Sequence, residues 1–290
     1  VATGDYYNFA GGETGDFQET RGQDVHGSGG TVSTAHVKTG TYAYRLTPVT
    51  TGVLWFEMGT VDNNNIGSAD LRAGAWMYIA TLPSGDEEIF NFHSASVYAL
   101  TLRITSGGVL KVYDHTPTLV ATGGTTLSTG TWYYIEARVV GSSATAAWEL
   151  RINGTTELSS AGSGTVSTLG GGSISGGNWG KQTNRNGSGY DIYWDDCVVR
   201  EAAWPYNSGA APKVFVSMPT ADGTYTGWEA SSAGKVDEIP HNGNTDFISA
   251  PATAVAQSYT IQSTATVGMV GTPIAVSPFV ILETVTSLKG

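Results

Sequence analysis

Carboxylates are the groups in this chain best suited to do chemistry, and three arrangements of them need an account. Asp86, Glu87 and Glu88 are consecutive and follow Pro83-Ser84-Gly85, which reads as a solvated turn. Glu136 and Glu149 fall on separate alternating segments beside Arg138 and Arg151, where cross-strand ion pairs account for them. Asp195 and Asp196 are adjacent in the apolar run 191–200. Neighbours in a strand point to opposite faces. Asp196 therefore goes with Ile192, Trp194 and Val198, and Asp195 with Tyr193, Cys197 and Val199. Whichever face is buried carries a carboxylate, and a buried carboxylate needs a partner. Loop N–H groups or an arginine are the expected ones.

Other chemistry is excluded motif by motif. His26, His36, His93, His115 and His241 are scattered, and none stands at a zinc-ligand spacing. No Gly-x-Ser-x-Gly turn marks a serine nucleophile. Gly180-Lys181 is followed by Gln182 and not by Ser or Thr, so it is no phosphate loop. Asp62-Asn63-Asn64-Asn65 opens like a calcium loop, but Ile66 and Ala73 occupy two ligand positions, and a polar turn is the better reading. Outward aromatics are the remaining candidate. Trp76, Tyr78, Trp132, Tyr134 and Tyr193 each fall opposite the most apolar row of their segment. Such rings stack on sugars or build protein interfaces; with the faces reversed they would instead line the core.

The elements that must position these residues are strands. No window spaces apolar residues at helical intervals with a cap, whereas period-two alternation recurs along the chain. Leu100, Leu102 and Ile104 alternate with polar residues, turn at Ser106-Gly107-Gly108, and return through Leu110 and Val112. Tyr133, Ile135, Ala137 and Val139 share a face, answered by Trp148, Leu150 and Ile152 before the Asn153-Gly154 turn. Further strands are expected at 42–46, 53–58 and 71–79. Residues 159–188 are mostly Gly, Ser, Thr and Asn, with Trp179 the one large side chain; they read as a surface excursion with a weak strand near 167–174. Short strands with Gly-rich turns predict an all-β antiparallel jelly-roll β-sandwich over 1–203. A Pro/Gly/Ala linker follows over 204–212, then a smaller β-rich C-terminal domain over 213–290, with strands at 213–217, 258–261 and 274–285 and a loop-rich stretch over 220–250.

Composition narrows the function classes. Of 290 residues 40% are hydrophobic and only 13% charged, so the polar surface is built from Thr, Ser, Asn and Gly. The net charge is -11 with 14 basic residues, and no Lys/Arg cluster exists to neutralise a phosphate backbone, so no nucleic-acid partner is expected. Cys197 is the one cysteine, so no intrachain disulfide forms. No apolar run is long enough to insert in a membrane, and Val1–Asp5 do not read as a signal peptide. Asn153 and Asn186 head glycosylation sequons, the first better read as a hairpin turn.

The order of features over residues 5–250 resembles the laminin-G and concanavalin-A-like jelly-roll domain of tailed-bacteriophage virion structural proteins. The resemblance is carried by Gly11-Gly-Glu-Thr-Gly-Asp16, Val37–Leu46, Leu127-Ser-Thr-Gly-Thr-Trp132, Ile152-Asn-Gly154 and Tyr193–Val199, then by Val214–Trp228, Val236–Pro240 and Asp246–Ile248. It implies a non-catalytic virion protein, decorating the capsid or attached to the tail, assembled in the host cytoplasm and contacting other virion proteins and copies of itself. The alternative is an extracellular carbohydrate-binding module or adhesin whose partner is a cell-surface glycan. Glycoside hydrolases on this fold carry a Glu-x-Asp-x-x-Glu strand, which this sequence lacks. Related jelly rolls also hold a structural calcium ion near their closing strand; that implies Asp195 or Asp196 as its ligand and is the one cofactor expected.

Overall fold

The computed structural model describes residues 7–13, 15, 23–48, 54–59, 70–94, 97–114, 116–140, 145–163, 166–167, 174, 176–182, 188–201, 203–206, 210–214, 219–226 and 257–261. Its strands are β1 (Tyr7–Ala10), β2 (Gln23–Gly27), β3 (Gly30–Ser33), β4 (Ala43–Leu46), β5 (Leu54–Gly59), β6 (Asp70–Thr81), β7 (Glu87–Ser94), β8 (Val97–Ile104) and β9 (Val109–Tyr113). They continue with β10 (Leu119–Thr126), β11 (Trp132–Val140), β12 (Thr145–Ile152), β13 (Thr155–Ser159), β14 (Val166–Ser167), β15 (Gly176–Lys181), β16 (Asp191–Glu201), β17 (Pro219–Thr226) and β18 (Gln257–Ile261). One helical turn, α1, spans Ser160–Ser163. Among the described residues no helix is long and apolar enough to cross a membrane.

Two antiparallel sheets make a jelly-roll sandwich. The larger runs β13-β12-β11-β6-β16-β4-β3, with β1 also on β16 and β14 on β12; the smaller runs β10-β9-β8-β7-β15-β5-β2. Alternation decides which residues meet between them. Ala73, Ala75, Met77 and Ile79 of β6, Ile135, Ala137 and Val139 of β11, and Trp148, Leu150 and Ile152 of β12 enter the core. Phe90, Phe92, Leu100, Leu102, Ile104, Leu110 and Val112 face them from the smaller sheet. The intervening residues of the larger sheet point outward, which puts Arg72, Trp76, Tyr78, Trp132, Tyr134 and Glu136 on one outer face. The Asn153-Gly154 turn has φ of 52° and 78°, the left-handed pair that a two-residue hairpin needs.

Two expectations over the sandwich are corrected here. Residues 159–188 hold more than a surface excursion: β15 is an interior strand of the smaller sheet, between β7 and β5, and Trp179 is 2% exposed, stacked on Phe56 and edge-on to Phe90. Glycine hides this strand from any alternation rule yet suits its place, since a Cβ on Gly177 would meet the Phe90 ring at 2.9 Å. Glu87 and Glu88 are not in a solvated turn; they begin β7 at 1% and 3% exposure. Glu87 accepts the Ser188 N–H and hydroxyl at 3.0 Å and lies 3.5 Å from the buried Lys181 ammonium, fastening the run into β16. Asp86 alone stays near the surface, paired with Lys111 at 2.5 Å.

Downstream, β17 and β18 form a two-stranded antiparallel sheet, so a strand stands at Pro219–Thr226, inside the stretch expected to be loop. Lys213 and Val214 are irregular. The expected strand at 274–285, the polar turn at 62–67 and the Asn186 sequon lie outside the described residues.

Candidate functional site

The five aromatics singled out by alternation share the outer face of the larger sheet, in the register of three adjacent strands. Trp132 lies opposite Tyr78, and Tyr78 opposite Tyr193; one step along, Tyr134 lies opposite Trp76, and Trp76 opposite Asp195. The contacts follow this grid: Tyr78 to Trp132 at 5.4 Å, Tyr78 to Tyr193 at 6.0 Å edge-on, and Trp76 to Tyr134 at 5.2 Å edge-on. Trp76, Tyr78 and Trp132 are half-buried, whereas Tyr134 and Tyr193 are buried. Facing outward is thus not the same as being open to solvent.

Two coverings explain the difference. The loop between β3 and β4 lies over one end, with His36 stacked on Tyr78 at 4.2 Å and edge-on to Tyr193 at 4.8 Å. Lys38 Nζ sits 4.0 Å from the Trp76 ring centre. Over the other end runs the chain beyond β16, where Trp204 packs on the Arg151 guanidinium at 3.8 Å and Tyr206 on Tyr134 at 5.7 Å. Residues 204–212, read from composition as a linker, therefore include two rings seated on the sandwich. Neither covering has a local signal: nothing in the residues around His36 marks it, and the contacts that hold its loop span more than 150 residues of chain.

Those contacts come from Asp195 and Asp196, and the expectation that they point to opposite faces is wrong. A bulge puts two residues of β16, Asp196 and Cys197, opposite the single Ala75 of β6, with Asp196 at φ of 48°. The extra residue returns Cys197 to the core and leaves both carboxylates bonded to the same loop. Lys38 and Thr39 N–H donate to Asp195 Oδ2 at 2.7 and 3.1 Å, and the Asp196 N–H to Asp195 Oδ1 at 2.7 Å. The Thr39 hydroxyl reaches both Asp196 oxygens at 2.8 Å, and the Val214 N–H donates to Oδ1 at 2.6 Å. Buried Glu13 takes the Thr41 and Tyr42 N–H groups of the same loop. Burial, and the Asp196 charge beside it, push the Asp195 carboxyl up to about 8.

This donor set does not fit a calcium ion. Calcium takes six to eight oxygens, whereas these carboxylates are met by N–H and O–H donors, and among the described residues no three Asp, Glu, His or Cys side chains are grouped to hold a metal. Backbone N–H groups are the partners the sequence pointed to for a buried carboxylate.

The remaining outer-face acids are similarly engaged. Asp191 forms a two-pronged pair with Arg45 at 2.7 and 3.0 Å, and Asp70 with Arg138 at 2.8 and 2.9 Å. Arg151 pairs within its own strand, with Glu149 at 2.7 Å. Among the described residues Glu136 forms no cross-strand ion pair: it accepts the Tyr206 N–H at 2.7 Å, and burial raises its carboxyl to about 7, partly offset by that N–H.

On the outer side of the smaller sheet, Asn91, Asn178 and Gln182 form an amide network with Glu88. Asn91 Nδ2 donates to Glu88 Oε1 at 2.6 Å and to Gln182 Oε1 at 2.7 Å, and Asn178 Nδ2 to Asn91 Oδ1 at 3.2 Å. Asn91, Asn178 and Glu88 are each under 4% exposed, so this network ties strands together and is closed to a ligand. On the larger sheet, by contrast, Trp76, Tyr78 and Trp132 remain partly exposed.

No family model matches the chain, and no curated protein matches it. Several solved structures are similar. Domain 4 of AbnA, a GH43 extracellular arabinanase from Geobacillus stearothermophilus, is 15% identical with a TM-score of 0.45, over 67% of this chain and 91% of that one. Alginate lyase AlgAT5 from Polysaccharide Lyase family 7 is 15% identical with a TM-score of 0.43, over 58% and 82%. Trypanosoma rangeli sialidase is 13% identical with a TM-score of 0.43, over 60% of this chain and 27% of that one, so this chain spans little more than a quarter of its length.

Proposed function

We propose that this chain is a non-catalytic carbohydrate-binding module whose ligand lies on the outer face of the larger sheet, across Trp132, Tyr78 and Trp76. The observation that carries this reading is the contiguous, half-exposed set of rings on two hydrogen-bonded strands, held in register by the sheet, with His36 stacked on Tyr78. A sugar presents one apolar ring face and a rim of hydroxyls, so rigid aromatic planes with polar edges suit it. A non-catalytic role is supported by the state of the nearby carboxylates. Asp195, Asp196 and Glu136 are buried and accept backbone N–H groups, and Asp191 is held by Arg45, so none is poised as an acid and base pair across this face. An extracellular place of action follows from the ligand class.

Virion assembly, the role implied by the resemblance, ranks second, because it rests on motif order alone and no side-chain arrangement described here favours it. Recovery of the protein at fixed stoichiometry in purified virions would reverse that order.

The test is a glycan array followed by titration of the best ligand. Trp132→Ala is expected to weaken binding about tenfold or more, as truncation of a central aromatic anchor does, with Trp132→Phe intermediate and thermal stability little changed. Absence of any bound glycan, or undiminished binding by both Trp132→Ala and Tyr78→Ala, would overturn the proposal.

A further inference from the structure

Resting on the carbohydrate-binding reading, we infer that the face selects sugars bearing a carboxylate, with Lys38 as the residue that reads the charge. The chain carries a net charge of -11, so a cation at its recognition surface stands against the background. Lys38 is exposed, and its ammonium rests over Trp76 with no carboxylate partner among the described residues. Three arginines around the aromatic grid are occupied, in contrast. Arg45, beside Tyr193, is gripped by both oxygens of Asp191. Arg138 is held by Asp70, and Arg151 by Glu149 and the Trp204 ring. The acids beneath the loop, Glu13, Asp195 and Asp196, are buried and take its N–H and O–H groups.

The loop therefore has a fixed backbone and an unneutralised tip. Its five-residue stretch from Lys38 to Tyr42 is bonded at Lys38, Thr39, Thr41 and Tyr42, which sets where the ammonium can reach. A sugar stacked on Trp132 lies beside Tyr78 and one register step from Trp76, where Lys38 sits. A carboxylate on that sugar, or on the next residue of an oligomer, meets a positive charge there. A neutral sugar gains the stacking alone. His36, stacked on Tyr78 on the same loop, adds a ring nitrogen that no described residue engages.

Matched probes separate charge from stacking: an array carrying uronic-acid oligomers beside their methyl esters, and sialylated glycans beside their desialylated parents. The wild-type protein is expected to prefer the acidic member of at least one pair about 2- to 5-fold at low salt, the range of a partly exposed ion pair. That preference should vanish in about 0.5 M salt, where charges are screened within a few ångströms. Lys38→Gln keeps the backbone N–H that Asp195 holds; it is expected to remove the preference, read as the ratio of the two affinities within each pair, while Trp132→Ala weakens both members. Equal binding of both members, or a preference that survives in Lys38→Gln, overturns the charge inference and leaves the stacking surface standing. Failure to bind any member overturns both.

Discussion

Burial sets the protonation behaviour of three side chains, and they act on stability in different pH ranges. Asp195 and Glu136 have carboxyls raised to about 8 and about 7 by burial, with the Asp196 charge adding to the first. A raised carboxyl means that the folded chain holds a proton the unfolded chain has released. Its contribution to stability is complete below the ordinary carboxylate range and is lost as the pH climbs through the raised value. His93 is buried and lowered to about 4, so it opposes folding only while the unfolded imidazole is charged, and that cost is gone above about 6.5. The two carboxyls therefore dominate above that point. The urea midpoint is expected to fall between pH 6.5 and 8, with a shallower fall in Glu136→Gln. A flat or rising midpoint across that interval would show that neither group is held protonated. Residue type made a partner for Asp195 and Asp196 predictable, but not its identity: the donors belong to residues 38–39 and 214, which only the closed sandwich brings near.

Strands were legible wherever side chains differ between faces. β6, β11 and β12 read directly, with their core and outer rows correctly separated, because Ala73, Met77, Ile135 and Leu150 alternate with Arg72, Trp76, Glu136 and Arg151. β15 was illegible for the opposite reason. In Gly-Gly-Asn-Trp-Gly-Lys the glycines carry no side chain to mark a face, although all six residues are buried. Its place between β7 and β5 makes Trp179 a structural keystone, stacked on Phe56 and meeting Phe90. Trp179→Ala is expected to cost about 3–5 kcal/mol in chemical denaturation, as large aromatic deletions in cores do. A loss below about 1 kcal/mol would mean that the surrounding rings close the gap. Carboxylates also fasten loops elsewhere: Glu157 takes the Gly124 and Thr125 N–H groups at 2.6 and 2.8 Å, as Glu13 and Asp195 do for the loop over Trp76. A chain with 25 acidic and only 14 basic residues puts main-chain donors where arginines would otherwise serve.

Across the molecule, the outer face of the larger sheet is covered at both ends, and the chain beyond β16 does part of the covering. Trp204 and Tyr206 seat on Arg151 and Tyr134, and the Val214 N–H caps Asp196. A protein ended after Glu201 is therefore expected to melt about 5–10 °C below one ended after Ser217, since it exposes Tyr134 and strips donors from Glu136 and Asp196. Equal melting temperatures would show that this segment lies on the sheet without supporting it. Which strands belong to which sheet was not readable from one sequence. The pairing of β16 with both β6 and β4 joins segments more than 100 residues apart, and only closure of the sandwich selects it.

The bulge in β16 has a meaning in the language of genes. Its extra residue amounts to one codon, and because Asp196 and Cys197 together oppose Ala75, an in-frame loss of the Asp196 codon would restore plain alternation without turning any later side chain to the wrong face. A single three-nucleotide event thus removes the Asp196 bonds to the Thr39 hydroxyl and the Val214 N–H, while Asp195 still holds the Lys38 and Thr39 N–H groups. A lineage could inherit the sandwich whole while gaining or shedding the tie between that loop and the chain beyond β16.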